Sequence, residues 1–302
     1  MGAALPTGVT MSTTTYFPCD LCGSDDAEKI EILRPYVGDQ VPSVCRQCGF
    51  VYVQERRSSE AVATVWTDEI FGHAYTARIP AIKARQVFVA EHIDTTIGLH
   101  GKSVCDIGGG EGLFLDMLHG PDYGAEVFAI EPSAAYCSAM AERGIENFAG
   151  TLEQYLAGDT SGRRFDVVTI IWTLENCSSC RDMLDGSYRL LKEGGHIVVA
   201  TGSRLLVPFK KPLQLYIGKN PADSHAFRFS ANTLGGLLAT TGFANVRTNR
   251  YIDHDVLCMI GEKISDATPR PWPKDDYRAL LDFFERWHRE SARYYVDIHG
   301  SS

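Results

Sequence analysis

The chain has 302 residues, 44% of them hydrophobic and 22% charged, with a formal net charge of −9. This composition fits one large or two smaller folded domains. Its acidity argues against nucleic acid as the main partner, because such binding draws largely on Lys and Arg against phosphates. No apolar run reaches the roughly 18 residues of a membrane span, so no membrane association is expected.

The N-terminal "MGAALPTGVTMSTTTYF" has neither a basic n-region nor a long apolar core and is not read as a signal peptide. Residues 1–16 are expected to form a disordered leader, with Met11 an alternative start, and the protein is expected in the cytoplasm. In a reducing compartment its nine cysteines are thiols or metal ligands.

Residues 17–60 hold two CxxC pairs, Cys19/Cys22 and Cys45/Cys48, each followed by glycine (Gly23, Gly49). Two such knuckles, 22 residues apart, can offer four thiolates to one tetrahedral ion. A structural zinc is expected; the alternative is that these cysteines are small buried hydrophobes. Four protein ligands leave no open position for catalysis. "KIEILRP" and "FVYVQ" (Phe50 to Gln54) read as strands. A third pair, Cys177/Cys180, lacks a partner pair and is read as coincidental, with Cys105, Cys137 and Cys258 as core residues.

From about residue 78 the pattern changes. "ARIPAIKARQVFVAEHIDTTI" has helical spacing. The apolar runs "SVCDI", "EVFAIE", "FDVVTIIW" and "GGHIVVAT" then alternate with helices starting near Glu111, Ser133, Cys180 and Ser230. Runs apolar throughout are strands buried on both faces, and the alternation predicts a parallel sheet with crossover helices. The helix "SANTLGGLLATTGF" stops at Gly242 and is followed by "ANVRTNRY" and "DVLCMIGEK", an antiparallel pair. The fold class expected is α/β.

In an open parallel sheet the ligand lies beyond the carboxyl ends of the strands. There the chain places Asp106, Gly108, Gly110 and Gly112 after one strand, and Glu131 and Pro132 after the next. A carboxylate such as Glu131 can take both hydroxyls of a ribose, so a nucleoside-containing cofactor is expected. The nicotinamide fingerprint G-x-G-x-x-G fails, since its third glycine falls on Leu113.

The arrangement D-x-G-x-G-x-G resembles motif I of the class I S-adenosylmethionine-dependent methyltransferases. The resemblance continues through Glu131, "GTLEQYL" (Gly150 to Leu156), "FDVVTIIWTLEN" and "LLKEGGHIVVAT", across roughly residues 78–263. It implies a Rossmann-like seven-stranded sheet with its last strand antiparallel, within a methyltransferase domain over 61–263. It also implies S-adenosylmethionine held by Asp106, Gly108, Gly110, Gly112, Glu131, Pro132, Thr151, Leu152 and Trp172, with Tyr75 closing over it. In-line transfer of the methyl needs donor and acceptor held near ~3 Å with water excluded.

The acceptor site is expected under the insert 203–229, which carries Arg204, Lys210, Lys211, Lys219 and Arg228 against one acid, Asp223. A basic island in an acidic chain points to an anionic acceptor. His225 is the candidate general base, and Arg204, Lys211 and Arg228 the anion-binding groups. Each has a plain alternative as a packing, capping or solvated residue. Glu175 and Asn176, with Trp172, are expected to line the site.

A zinc-ribbon-like N-terminus before this core resembles the sugar methyltransferases of deoxysugar and surface-polysaccharide pathways. In their C-methyltransferase branch a Glu-His pair and a Tyr precede "FS"; here "SHAFRFS" keeps His225 but has Ser224 and Arg228 in the other places. That branch's additional C-terminal α/β domain has no counterpart here. The expectation is therefore O-methylation of a nucleotide sugar or related small molecule. The alternatives are a C-methyltransferase, a natural-product or RNA methyltransferase, and a non-catalytic scaffold. The tail 264–302 carries an apolar face (Leu280, Leu281, Phe284, Trp287, Tyr294) for the core or for another subunit in a homo-oligomer.

Overall fold

The computed structural model describes residues 14–37, 40–58, 79–158, 162–206, 213–217, 225–249, 256–265 and 271–294. Tyr75, Lys210, Lys211, Lys219 and Asp223 lie outside the described residues, as does most of the leader. In chain order the strands are β1 (Thr14–Tyr16), β2 (Ala27–Lys29), β3 (Ser43–Cys45), β4 (Val51–Tyr52), β5 (Glu55–Arg57), β6 (Ser103–Ile107), β7 (Glu126–Glu131), β8 (Glu146–Ala149), β9 (Phe165–Ile171), β10 (Leu191–Thr201), β11 (Phe227–Arg228), β12 (Phe243–Thr248) and β13 (Leu257–Lys263). The helices are α1 (Arg34–Val37), α2 (Ile79–Ile97), α3 (Leu113–His119), α4 (Ala134–Glu142), α5 (Leu152–Gly158), α6 (Cys180–Leu190), α7 (Leu213–Ile217), α8 (Ala231–Thr240) and α9 (Tyr277–Tyr294).

The six predicted strand segments and one more, β8, form one seven-stranded sheet of order β12-β13-β10-β9-β6-β7-β8. β6 pairs in parallel with both β7 and β9, and β9 with β10. β13 alone runs against its neighbours β10 and β12. The chain therefore leaves β6 in opposite directions across the sheet, the topology in which ligands bind beyond the carboxyl ends of the strands. Val167, Val168, Ile197, Val198 and Val199 are fully buried, as strands covered on both faces require. The edge strand β8, "ENFA", is partly exposed, so its sequence carries no apolar run to announce it.

The N-terminal segment departs from expectation in two places. Thr14–Tyr16, expected to be disordered, form a ladder with Glu55–Arg57, and Tyr16 donates to Asp25 at 3.1 Å. The strand read over "KIEILRP" ends at Lys29. Glu31–Leu33 is a 3-10 turn running into α1. Pro35 tolerates a first helical turn because its missing N–H has no partner there in any case. Glu31 and Arg34 pair at 2.7 Å across that turn.

The small sheet of this segment is completed from the far end of the chain. Its order is β11-β4-β3-β2, and β11 comes from the insert after β10. Helix α9 packs on the same unit. Leu280, Phe284 and Trp287 are buried with Ile30, Leu33, Val44 and Val51 of the N-terminal segment and Leu205, Leu213 and Ile217 of the insert. Tyr36 and His288 hydrogen-bond at 2.8 Å. Leu280, Leu281, Phe284 and Trp287 of the tail's apolar face are thus covered by their own chain.

Trp287 is 3% exposed, with its ring 4.6 Å from that of Tyr216. Trp287→Ala is expected to cost about 3–5 kcal/mol of stability in denaturant unfolding. An unchanged midpoint would contradict this packing.

Candidate active site

The glycine loop follows β6. Gly108 has φ +76°, and a Cβ there would meet Thr173 Oγ1 at 2.4 Å, so only glycine fits between β6 and the segment after β9. Gly110 has φ +54° with open space where a Cβ would point. Its amide donates to Glu131 Oε2 at 2.8 Å, while Ser133 N donates to Oε1, also at 2.8 Å. Glu131 thereby ties the loop to the end of β7. It is 8% exposed, burial raises its pKa, and its oxygens keep lone pairs for further donors.

Asp106 is 2% exposed and accepts from Thr169 Oγ1 at 2.6 Å. Burial pushes its carboxyl up to about 7; the Thr169 hydrogen bond opposes this and the nearby Glu131 charge adds to it.

Thr151 caps α5, its hydroxyl accepting from Gln154 N at 3.3 Å. The Leu152 side chain is buried against α6 at Gly186, so its backbone is the part left for a ligand. Pro132 is exposed beside Glu131.

At the end of β9, Trp172 has φ +56°, a strained value for a bulky residue. Its indole Nε1 is buried with no partner, and Arg85 of α2 lies 5.5 Å over its ring. Asn176 Nδ2 donates to Trp172 O at 3.3 Å. Glu175 is 1% exposed and accepts from Thr201 Oγ1 at 2.8 Å.

A hydrogen-bonded string runs from there to the insert. Ser203 N donates to Thr201 Oγ1 at 3.0 Å, and Ser203 Oγ lies 2.5 Å from His225 Nδ1. Arg228 Nη1 then donates to His225 O at 2.6 Å. The structure thus links Glu175 to the His225–Arg228 segment, some fifty residues on, through Thr201 and Ser203. Arg204 is half-buried one residue beyond Ser203, and its carbonyl accepts from Tyr216 at 3.0 Å. Thr169, Thr173, Thr201 and Ser203 were not singled out from sequence. Their one available signal was position at a strand's carboxyl end.

The four paired cysteines converge as their spacing predicted. Their sulfurs all lie within 4.8 Å of one another, and the Cys19–Cys48 and Cys22–Cys45 pairs stand at 3.5 Å. Zinc–thiolate bonds of about 2.3 Å in a tetrahedron separate sulfurs by roughly 3.8 Å, so the donor set fits such an ion.

The third pair is different. Cys177 donates to Leu174 O at 3.1 Å, Cys180 is fully buried, and burial pushes its thiol well above the usual range. This segment is the dock for the first knuckle. Asp20 Oδ1 accepts from Cys180 N at 2.9 Å, and Arg56 bridges Asp20 (2.7 Å) and Ser178 O (2.6 Å). On the other side, Asp275 N donates to Cys48 O at 3.2 Å, while its carboxylate accepts from Ser230 and Asn232.

The Asp106 shift has a measurable sign. An acid whose folded pKa exceeds its unfolded value of about 3.9 contributes stability that is complete below that value and lost as pH rises through the folded one. Without added ligand, the wild type is expected to lose thermal stability relative to Asp106→Asn between pH ~4 and ~7. Parallel melting curves across that window would show that Asp106 ionises normally.

A family model described as a methyltransferase domain matches residues 82–248. Among curated proteins, the ubiquinone biosynthesis O-methyltransferase of Cronobacter sakazakii is 29% identical over 161 residues, 51% of this chain and 62% of that one. The enzyme of the same description from Marinobacter nauticus is 26% identical over 151 residues, 48% of this chain and 60% of that one. The matches therefore span about three-fifths of these relatives. Among solved structures, Burkholderia thailandensis 1,6-didemethyltoxoflavin-N1-methyltransferase aligns with a TM-score of 0.53 at 17% identity, over 72% of this chain and 96% of that one. A Thermotoga maritima S-adenosylmethionine-dependent methyltransferase aligns with a TM-score of 0.51 at 19% identity, over 67% and 99%. Likeness at such identities speaks to the fold, and the matched family model carries the assignment. With its glycine loop and seven-stranded sheet, the chain belongs to the methyltransferase-domain family.

Proposed function

We propose that the enzyme O-methylates a small anionic acceptor, a nucleotide-linked or phosphorylated sugar. The observation that carries this reading is Arg228. It is 2% exposed, its Nε has no partner, and it forms no ion pair with any carboxylate among the described residues. A buried, uncompensated guanidinium is costly unless an anion completes it, and its planar fork matches phosphate. The O-methyltransferase names of the curated relatives support an oxygen nucleophile.

S-adenosylmethionine supplies, when bound, a methyl carbon made electrophilic by its sulfonium. In this reading Asp106 takes the cofactor's ammonium directly or through water, Gly108 and Gly110 let the backbone approach its amino-acid part, and Glu131 accepts from its ribose. Pro132, Thr151, the Leu152 backbone and Trp172 flank it. The open space at Gly110 and the spare lone pairs of Glu131 fit this assignment.

His225 takes the acceptor hydroxyl's proton. For Nε2 to act as the base, Nδ1 must carry the ring proton and donate it to Ser203 Oγ, which the 2.5 Å contact accommodates. Arg204 and Arg228 hold the anionic group.

The test is label transfer from S-adenosylmethionine to a panel of nucleotide sugars and sugar phosphates. His225→Ala is expected to lower turnover by about 100-fold or more with cofactor affinity unchanged. Arg228→Gln is expected to raise KM by about tenfold or more. No transfer to any panel member, with cofactor binding intact, would sink the sugar reading.

We also propose that Cys19, Cys22, Cys45 and Cys48 hold a structural zinc. Elemental analysis is expected to give one zinc per chain. Cys22→Ser is expected to lower it well below one, whereas Cys177→Ser leaves it unchanged. The reverse pattern would place the metal elsewhere.

A further inference from the structure

Two acceptor atoms in the turn Leu174–Asn176 have nothing to accept from among the described residues. Glu175 is 1% exposed, and one of its carboxylate oxygens is occupied by Thr201 Oγ1 at 2.8 Å. The other, Oε2, is buried with no hydrogen-bond partner. Next to it, Asn176 orients its amide by donating Nδ2 to Trp172 O at 3.3 Å, which leaves Oδ1 buried and unpartnered as well. Buried polar atoms are paired in the great majority of cases, and an unpaired carboxylate oxygen is among the costlier exceptions. Two such exceptions on consecutive residues, at the carboxyl end of β9, are what a missing ligand leaves behind.

The chemistry of the pair limits that ligand. Both atoms only accept, so the group that completes them must donate twice. Arg228 lies on β11, which packs against this same turn, and the string through Thr201, Ser203 and His225 joins the two residues. Arg228 only donates. One end of the site therefore asks for an anion and the other for hydrogen-bond donors.

We infer that Glu175 Oε2 and Asn176 Oδ1 read two adjacent donors on the acceptor, vicinal hydroxyls or a hydroxyl beside an amino group, while Arg228 holds its anionic end. This rests on the acceptor reading above and adds the recognition of the uncharged end. Glu175 acts here as a specificity-determining residue. It rejects acceptors of the right charge that lack the donor pair, since those would leave its carboxylate unpaired.

The test is calorimetric binding to the full chain saturated with S-adenosylhomocysteine, using UDP-glucose, glucosamine 6-phosphate and UDP as probes. UDP keeps the anion and lacks the glucose, and its ribose diol is common to UDP-glucose, so the comparison isolates the glucose hydroxyls. Glu175→Gln keeps an oxygen for Thr201 and turns Oε2 into a donor. The wild type is expected to bind one or both sugar ligands at least about tenfold more tightly than UDP. Glu175→Gln is expected to abolish that advantage while leaving UDP affinity, S-adenosylhomocysteine affinity and melting temperature unchanged. Loss confined to UDP-glucose assigns the donors to hydroxyls; loss confined to glucosamine 6-phosphate assigns one to the amino group.

A sugar advantage that survives Glu175→Gln overturns the inference and spares the acceptor reading. So does a wild type that binds all three probes equally. A wild type that binds S-adenosylhomocysteine but none of the probes overturns the acceptor reading, and this inference with it. Should Glu175→Gln fail to fold, Asn176→Ser carries the same comparison, with a smaller loss of the sugar advantage expected and no loss overturning it.

Discussion

The ion pair between Arg56 and Asp20, with side chains 1% and 3% exposed, is the contact on which the arrangement around His225 and Arg228, the proposed acceptor side, depends. Two charges taken this far from water hold only if their remaining donors and acceptors are met. Here the core domain meets several of them, while Arg56 Nε is buried without a partner among the described residues. Asp20 receives the amide of Cys180 at the start of α6, and Arg56 reaches Ser178 O just before it. The guanidinium also lies 4.1 Å from the Phe17 ring and 4.7 Å from the Phe227 ring. One buried cation therefore touches the first cysteine knuckle, the segment after β9 and the strand that follows His225.

That geometry gives the N-terminal segment a part in the site rather than a place beside it. β11 is a strand of the small sheet, so the position of His225 and Arg228 depends on β4, and β4 follows directly from the second knuckle. Asp275 fastens the same knuckle to the start of α8, and α9 covers the outer face. The proposed cofactor side relies on little of this. Asp106, Gly108, Gly110 and Glu131 are held by β6, β7, Thr169 and Thr173, all within the seven-stranded sheet or at its carboxyl edge. The two halves of the site thus have separate supports, joined through the turn that carries Glu175 and Asn176.

The parts legible in the sequence were those with a local physical cause. Buried parallel strands are apolar throughout, so β6, β7, β9 and β10 announced themselves, whereas the part-exposed β8 did not. The glycine spacing after Asp106 announced a backbone that must take positive φ beside other segments. The paired CxxC spacing announced four convergent sulfurs. The polar string through Thr201 and Ser203 had no such signature, because serine and threonine are common at strand ends and their partners lie tens of residues away.

By itself the sequence determined the buried strands of the sheet, its glycine loop, the acids beside that loop and the metal-like cluster, since each follows from periodicity or spacing within a few dozen residues. Only the tertiary structure decided that β11 joins the N-terminal sheet, that the Cys177–Cys180 segment is a docking surface for Asp20 and Arg56, and that the tail helix covers that unit. It alone showed Glu175 Oε2 and the Arg228 Nε buried without partners among the described residues. The physical reason is the same in each case: a two-residue strand, a buried charge or an apolar helix face acquires its meaning from the surface that covers it. Here that surface comes from another part of the chain.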